Sequence, residues 1–434
     1  MKDMKGFNGA YGLFIFLALL LPSQGFASNA YFVDTQDARA NGMMEAFAAT
    51  ADNPSAVYYN PAGIVNVDGT QVSAGLTFVY IPGEDVPFES NGTSVFGAPG
   101  ETTDSETLTA YIPSFFATHK INNDWSAGFG MFSNFGLSTE WPEDWEGRYV
   151  SGGVYSDILT MALNPVVAYR VDKNVSIAAG IVYQTLEVQS RNKYLMGAPG
   201  SGIPDATVKV TAEDSSGFGY SLGFLARLSD AVNLGIAFQS AVRHDMDGDF
   251  ELYGTPGGQF NAKDDVSMKM TLPAIARLGL AYSKGPLTVE GDVVFTQWST
   301  IDESTIKFDQ LPLSATEPKD YRNTFTYRLG TNYSVNNAFD VRGGVEYSGN
   351  PIPLSTQEPA VPTNYRWRFG VGGGYTMEKF VIDLSYNYIF WPTKMEYDNE
   401  TGDYDANVSP GLGKVTGEWD ASGHMVVTTL SYKF

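Results

Sequence analysis

No cysteine occurs in the chain, which excludes a disulfide framework, a thiol redox centre and thiolate metal sites. Histidine is scarce as well: His119, His244 and His424 are all there are. Basic residues are the minority charge, 27 Lys and Arg against 49 Asp and Glu, for a net charge of -22. That balance excludes a nucleic-acid binder, which needs basic patches against phosphate. Beyond the first segment, no stretch approaches the roughly 18 uninterrupted apolar residues of a spanning helix. Any membrane location must therefore be built from strands.

What is present begins with an export signal. Lys2 and Lys5 precede the apolar run Leu13 to Leu21, and Gly25-Phe26-Ala27 gives a small-x-small cleavage site. The run is too short to span a bilayer at ~1.5 Å per residue. Residues 1–27 are expected to be a signal peptide. With 46 glycines and 25 tyrosines, the remainder has the composition of a membrane barrel, where glycine and aromatics recur along strands and at the interfaces.

Alternation of apolar and polar residues then recurs along the chain. Val72, Ala74, Leu76, Phe78 and Tyr80 give the first apolar face. Phe369-Val371-Gly373-Tyr375 and Phe380-Ile382-Leu384-Tyr386-Tyr388-Phe390 give the last pair before the end. The final strand, with Val426, Thr428, Leu430, Tyr432 and Phe434 on one face, has the closing aromatic expected of a substrate of the barrel assembly machinery. Strands are also expected near 107–118, 124–138, 157–171, 174–187, 216–229, 231–243, 266–283, 286–299, 323–335 and 338–347. The total is about fourteen. Short turns such as Asp172–Asn174 and Ser283–Gly285 alternate strictly with long polar loops at 81–106, 139–156, 188–215, 244–265, 300–322, 348–363 and 391–420. Short turns on one side and long loops on the other is the asymmetry of an outer-membrane barrel of a Gram-negative bacterium. The fold class is all-β: an antiparallel transmembrane β-barrel over residues 70–434.

The second strand faces carry charge: Arg328, Arg366, Arg368, Glu290 and Asp292 alternate with apolar residues. A midplane arginine facing lipid costs roughly 2–4 kcal/mol, so these side chains must point into the lumen. Residues 28–69 lack alternation, and their two Asn-Pro steps force turns, with short helices expected between Ala40 and Ala51. Met43, Met44, Phe47, Val57, Tyr58 and Tyr59 make the segment too apolar for a disordered tail. An N-terminal hatch, a plug inside the lumen, is the expectation.

At this point the sequence resembles the FadL-type long-chain fatty-acid transporters of the outer membrane. The resemblance rests on Asn60-Pro61-Ala62 with its Asp-Asn-Pro-Ser and Tyr-Asn context. It rests also on Ser133-Asn134-Phe135-Gly136-Leu137-Ser138-Thr139-Glu140-Trp141, followed by Trp145-Glu146-Gly147-Arg148-Tyr149. It covers essentially the whole mature chain. It implies passive transport by a monomer without cofactor, with Asn60, Pro61 and Ala62 in the hatch. Ligand would land in an apolar groove among the loops, move to a lumen site near the hatch N-terminus, and leave sideways at an inward kink of the third strand. Long-chain fatty acids are the expected cargo, with aromatic hydrocarbons the alternative and lipopolysaccharide and outer-membrane lipid the surroundings.

The residues themselves support a kink. Gly136 follows Phe135 inside the third strand, where a glycine marks a bend or bulge, and both neighbouring strands carry an internal proline, Pro113 and Pro165. For a substrate carboxylate, Arg366 and Arg368, about mid-strand by turn counting, are the candidates, because arginine pairs with carboxylates in bidentate fashion. Arg227, Arg277, Arg328 and Arg342 share the lumen register, and all six could instead pair with Glu290, Asp292, Glu346, Asp383 or hatch acids. Phe88, Phe96, Leu195, Met196 and Ile203 make the loops apolar enough for a landing groove.

Other chemistry has less support. No Gly-x-Ser-x-Gly nucleophile motif occurs, His119 falls in a turn, and His244 falls at the rim of a long loop, so no enzyme is expected. His244-Asp245-Met246-Asp247-Gly248-Asp249 alternates carboxylates as calcium loops do, but lacks the full pattern and reads as a solvated loop. A general porin would not need a hatch, and an adhesin would place its function in the loops.

Overall fold

The computed structural model describes residues 30–92, 97–198, 200–311, 314–392, 395–398, 416–419 and 421–434. The expected signal peptide, Phe96 of the landing groove and most of the last long loop lie outside the described residues. Antiparallel strands form a closed barrel. The first strand, Thr70–Ile81, pairs with the second, Leu108–Lys120, on one side and with the fourteenth, Ser422–Lys433, on the other. Closure removes the exposed edges that an open sheet would leave in lipid.

Fourteen staves result. The third is split into Trp125–Phe132 and Gly136–Glu140. The fourth is Tyr155–Arg170, the fifth Val175–Tyr194 and the sixth Ala206–Arg227. The seventh comprises Val232–Gln239 and Val242–Tyr253, and the eighth Ala262–Leu272 and Ile275–Lys284. Leu287–Thr296 is the ninth, with Glu303–Phe308 extending it outside, and Ser314–Pro318 with Thr324–Ser334 is the tenth. Phe339–Ser348, Arg366–Met377 and Phe380–Phe390 complete the set. A small separate sheet of Pro87–Ser90, Thr102–Asp104, Met395–Asp398 and Thr416–Trp419 ties the first long loop to the last.

Through the membrane the strand faces meet two different surroundings. Ile177, Ile181, Leu280, Leu329, Val371 and Leu384 are exposed on the outside, facing lipid, while Glu290, Asp292, Arg328 and Glu346 are buried inside. Aromatic pairs such as Trp125 with Tyr169 (ring centroids 4.6 Å) and Phe339 with Tyr375 (4.6 Å) mark the short-turn interface. No helix among the described residues is long and apolar enough to cross a membrane.

The lumen is filled by residues from Ala30 to Val67, almost all buried. They form helix α1, Ala38–Gly42, helix α2, Ala56–Tyr59, and a 3-10 helix, Pro61–Asn66. Of the short helices expected between Ala40 and Ala51, one turn forms, Ala38–Gly42, capped by the Asp37 carboxylate on the Arg39 and Ala40 N–H groups. Beyond Met43 the chain turns, and the N–H groups of Phe47, Ala48, Ala49 and Thr50 go to barrel carboxylates instead of to its own carbonyls.

Two expectations for the long loops need correction. Residues 188–194, 206–215, 244–253 and 262–265, expected as loop, continue the fifth to eighth strands beyond the membrane. The His244 to Asp249 run is accordingly strand, with His244 buried inward and Asp245, Asp247 and Asp249 turned outward to water.

Candidate functional site

The third strand is where the wall departs from a regular ladder. Against the fourth strand, Phe132 pairs with Ala162 and Gly136 with Leu159. Three residues, 133–135, thus face two, 160 and 161, and one residue is surplus: a bulge. Toward the second strand the pairing stops at Phe115 with Met131, although the second strand runs on to Leu108 bonded only to the first. Above that stop, Glu106 N–H reaches Glu140 O at 2.8 Å. The stretch between is a break in the wall. Pro113 lies on this open edge, where a missing N–H costs no ladder bond. On the fourth strand Pro165 interrupts the ladder to the fifth, and the Asn164 side chain supplies the missing donor to Ile181 O at 2.9 Å.

The plug's first residues close the break from inside. Val33 N–H donates to Asn134 O at 2.9 Å and Gly136 N–H to Tyr31 O at 2.8 Å, flanking a β-bridge between Phe32 and Phe135. The two phenyl rings sit 5.7 Å apart. Gln36 Nε2 donates to Ser133 O at 2.6 Å, and Thr160 Oγ1 donates to Phe135 O at 2.6 Å. Asn134 is held from behind by Gln184 (2.7 Å), which meets His244, itself 2.8 Å from Asp214. The bulge therefore gives the plug an inward-facing strand edge to pair with.

Above this seal lies a cavity of about 350 Å³, within the ~300–1,000 Å³ of small-molecule sites. Tyr31 contributes to its floor, and Ile158, Val188, Met270, Ile301 and Val361 to its apolar walls. Lys319 also lines it, held by Glu317 (3.2 Å) and Glu358 (2.8 Å). Tyr31 packs edge-on to Trp298, ring centroids 5.0 Å, and Trp298 in turn meets Phe135 at 6.2 Å. Cavity floor and wall seal thus share one aromatic cluster.

The expected site residues fall in three places. Asn60, Pro61 and Ala62 fasten the plug to the fifth and sixth strands, away from the bulge. Asn60 caps the 3-10 helix through Ala62 N–H (3.2 Å), with proline preset at the first helical position, and donates to Ala48 O (2.8 Å) and Phe224 O (3.0 Å). Ser176 Oγ donates to Ala62 O at 3.0 Å. A Cβ on Gly223 would lie 2.6 Å from Ala62 N, so the barrel needs a glycine where the motif docks. Phe135 and Gly136 lie at the bulge itself.

Arg366 and Arg368 stand at the start of the twelfth strand, at its loop end and not mid-strand. Arg368 is engaged by Glu346 (Nε to Oε1, 2.8 Å) and by Asp34 of the plug (3.2 Å), and Arg328 joins both carboxylates. Arg366 makes one bond to Glu346, 3.1 Å, leaving Nε and Nη1 buried without a partner among the described residues. Arg342 pairs with Asp383 at 2.6 Å. Sequence reasoning missed Tyr31, Phe32 and Trp298, whose partners lie far along the chain; their signal was only that the segment is apolar.

A closed fourteen-stranded barrel, plugged from its own N-terminus and broken at one stave, defines an outer-membrane transport protein for hydrophobic compounds. The chain belongs to the family described as outer membrane protein transport protein (OMPP1/FadL/TodX), whose model matches residues 19–434. A long-chain fatty acid transport protein of Escherichia coli O6:H1 is 25% identical over 406 residues, covering 85% of this chain and 87% of the relative. Outer membrane protein P1 of Haemophilus influenzae is 24% identical, covering 89% and 90%. In fold, a FadL homologue of Pseudomonas aeruginosa superposes with a TM-score of 0.79 at 22% identity, covering 93% of this chain and 100% of that one. The Pseudomonas putida toluene transporter TodX gives 0.68 at 17% identity, covering 94% and 100%. The protein resides in the outer membrane of a Gram-negative bacterium.

Proposed function

We propose that the chain carries long-chain fatty acids across the outer membrane and releases them sideways through the break between the second and third strands. The observation that supports this most is the extended segment Tyr31–Val33 of the plug, bonded across the inner side of that break through a β-bridge at Phe32. In this reading residues 28–69 act as the hatch, Asn60, Pro61 and Ala62 anchor it, and Phe135 with Gly136 forms the gate. A ligand in the apolar cavity displaces Tyr31 from Trp298, which frees the Phe32 bridge and opens the wall. The long-chain fatty acid transport proteins among its relatives support the choice of cargo. Several similar folds are toluene transporters, and a gain of aromatic uptake in place of fatty acid would keep the route and change the cargo.

The test is uptake of a labelled long-chain fatty acid by cells lacking their own transporter. Deleting Asn134 removes the surplus residue and restores a continuous register with the fourth strand. Uptake is expected from the native chain and lost from the deletion at equal outer-membrane level. Full uptake by a barrel so straightened would overturn lateral release.

A further inference from the structure

Arg277 differs from the other buried lumen arginines. It lies on the eighth strand, between Ala237 of the seventh and Val294 of the ninth, at 2% exposure. Arg328, Arg342, Arg366 and Arg368 each hold a carboxylate within 4.0 Å, but the Arg277 side chain makes no ion pair or hydrogen bond to any described residue. Its Nε and Nη2 are buried without a partner, and its guanidinium stacks on the ring of Tyr58, 4.6 Å from the centroid. A buried arginine lacking an anion carries its full desolvation cost.

The groups around it are donors in the same condition. The Tyr58 hydroxyl is buried and unpartnered. On the ninth strand, Thr296 sits diagonally from Arg277 on the lumen face, and its Oγ1 is unpartnered too; Trp298, two residues further, has a free Nε1. Asp292, diagonal on the other side, is the nearest carboxylate by register; its Oδ2 takes the N–H groups of Phe47 and Ala48 at 3.1 Å, and its Oδ1 is buried without a partner among the described residues, making no ion pair with Arg277. The guanidinium, the Tyr58 hydroxyl against it and the Thr296 hydroxyl one diagonal step away are thus left without an acceptor among the described residues.

Its position fits the route. Tyr31 of the cavity floor packs on Trp298, and Thr296 and Arg277 lie below on the same lumen face. Tyr58 bridges from Arg277 to Phe132 at the lower lip of the wall break, ring centroids 4.9 Å.

We propose that Arg277, with Tyr58, Thr296 and Trp298, forms an anion site that receives the carboxylate of an acyl-chain substrate between the cavity and the wall break. This rests on the transport reading and adds its selectivity: the site favours ionised amphiphiles over uncharged hydrocarbons of the same length. The fork of the guanidinium matches a carboxylate in two parallel bonds, and Tyr58 and Thr296 hydroxyls complete its remaining lone pairs.

The experiment is equilibrium binding of hexadecanoate and of hexadecanol to the purified full barrel in lipid nanodiscs. For Arg277→Gln, hexadecanoate affinity is expected to fall about 10- to 100-fold with hexadecanol unchanged, as for loss of a hydrogen-bonded charge pair. Arg277→Lys is expected to recover part of the loss. Tyr58→Phe keeps the ring, tolerates folding, and is expected to weaken hexadecanoate alone by a smaller factor. Equal loss of both ligands in Arg277→Gln, unchanged hexadecanoate binding, or no binding by the native barrel would each overturn the site. Selective binding without uptake in cells would strike the transport route and leave the site standing.

Discussion

Glu290 takes the backbone N–H of Ala49 at 2.6 Å, from a barrel strand onto the plug inside it. The same carboxylate takes Thr50 N–H at 3.1 Å, while Asp292 takes Phe47 and Ala48, so four successive amides that no helix satisfies are bonded by two wall side chains. Glu290→Ala is therefore expected to cost about 1–3 kcal/mol for each amide left without an acceptor. Hydrogen exchange at residues 47–50 checks this: the amides of Ala49 and Thr50 should lose protection while barrel amides keep theirs. Native protection in the variant would show that the grip is dispensable.

The charge cluster at the loop end of the lumen makes a graded prediction. Arg368 bonds both Glu346 and Asp34, whereas Arg366 makes a single contact with Glu346. Arg368→Met leaves buried carboxylates uncompensated and is expected to cost about 3–5 kcal/mol; Arg366→Met is expected to cost less. The measurement is denaturant unfolding of the two variants side by side. The reverse order would mean that the cluster is not organised around Arg368.

Close approach between wall and plug gives a third. A Cβ on Gly235 would sit 2.0 Å from Ala48 O, and one on Gly330 2.2 Å from Met43 O, both backbone atoms that cannot swing aside. Gly235→Ala and Gly330→Ala should leave the plug poorly seated, seen as protease cleavage within residues 30–69 of folded barrels. Gly343→Ala, whose Cβ meets nothing nearer than 3.7 Å, should be cleaved no faster than the native protein.

The seal itself gives a fourth. Phe32 and Phe135 are both buried at 1% exposure and meet across the break through the bridge and their ring contact. Phe32→Ala removes a packed aromatic, on the order of 3–5 kcal/mol in a core, and is expected to raise single-channel conductance in planar bilayers. Phe325→Ala, on the lipid face, should conduct like the native chain.

The barrel was legible because lipid and lumen impose opposite demands on alternate residues, as at Leu329 against Arg328. The same cause explains where legibility ended. Past the membrane both strand faces meet water, so Arg191, Asn192 and Lys193 of the fifth strand carry no apolar alternation and read as loop. His244, placed at a loop rim by sequence, is fully buried for the same reason: its strand continues where the pattern stops. The plug's contacts were unreadable for another reason. Asp34 and Arg368 lie 334 residues apart, and nothing local in either marks the other. Asn60 and Gly136 were readable as motif residues, but what each touches became visible only with Phe224 and Tyr31 in place.

The bulge beside the wall break is a matter of count and not of chemistry: residues 133–135 stand where two would fit. No substitution at those positions changes that count, since any three residues remain three. Point mutation can therefore change the side chains lining the break without removing the surplus residue. Losing it takes a deletion in frame, a rarer event.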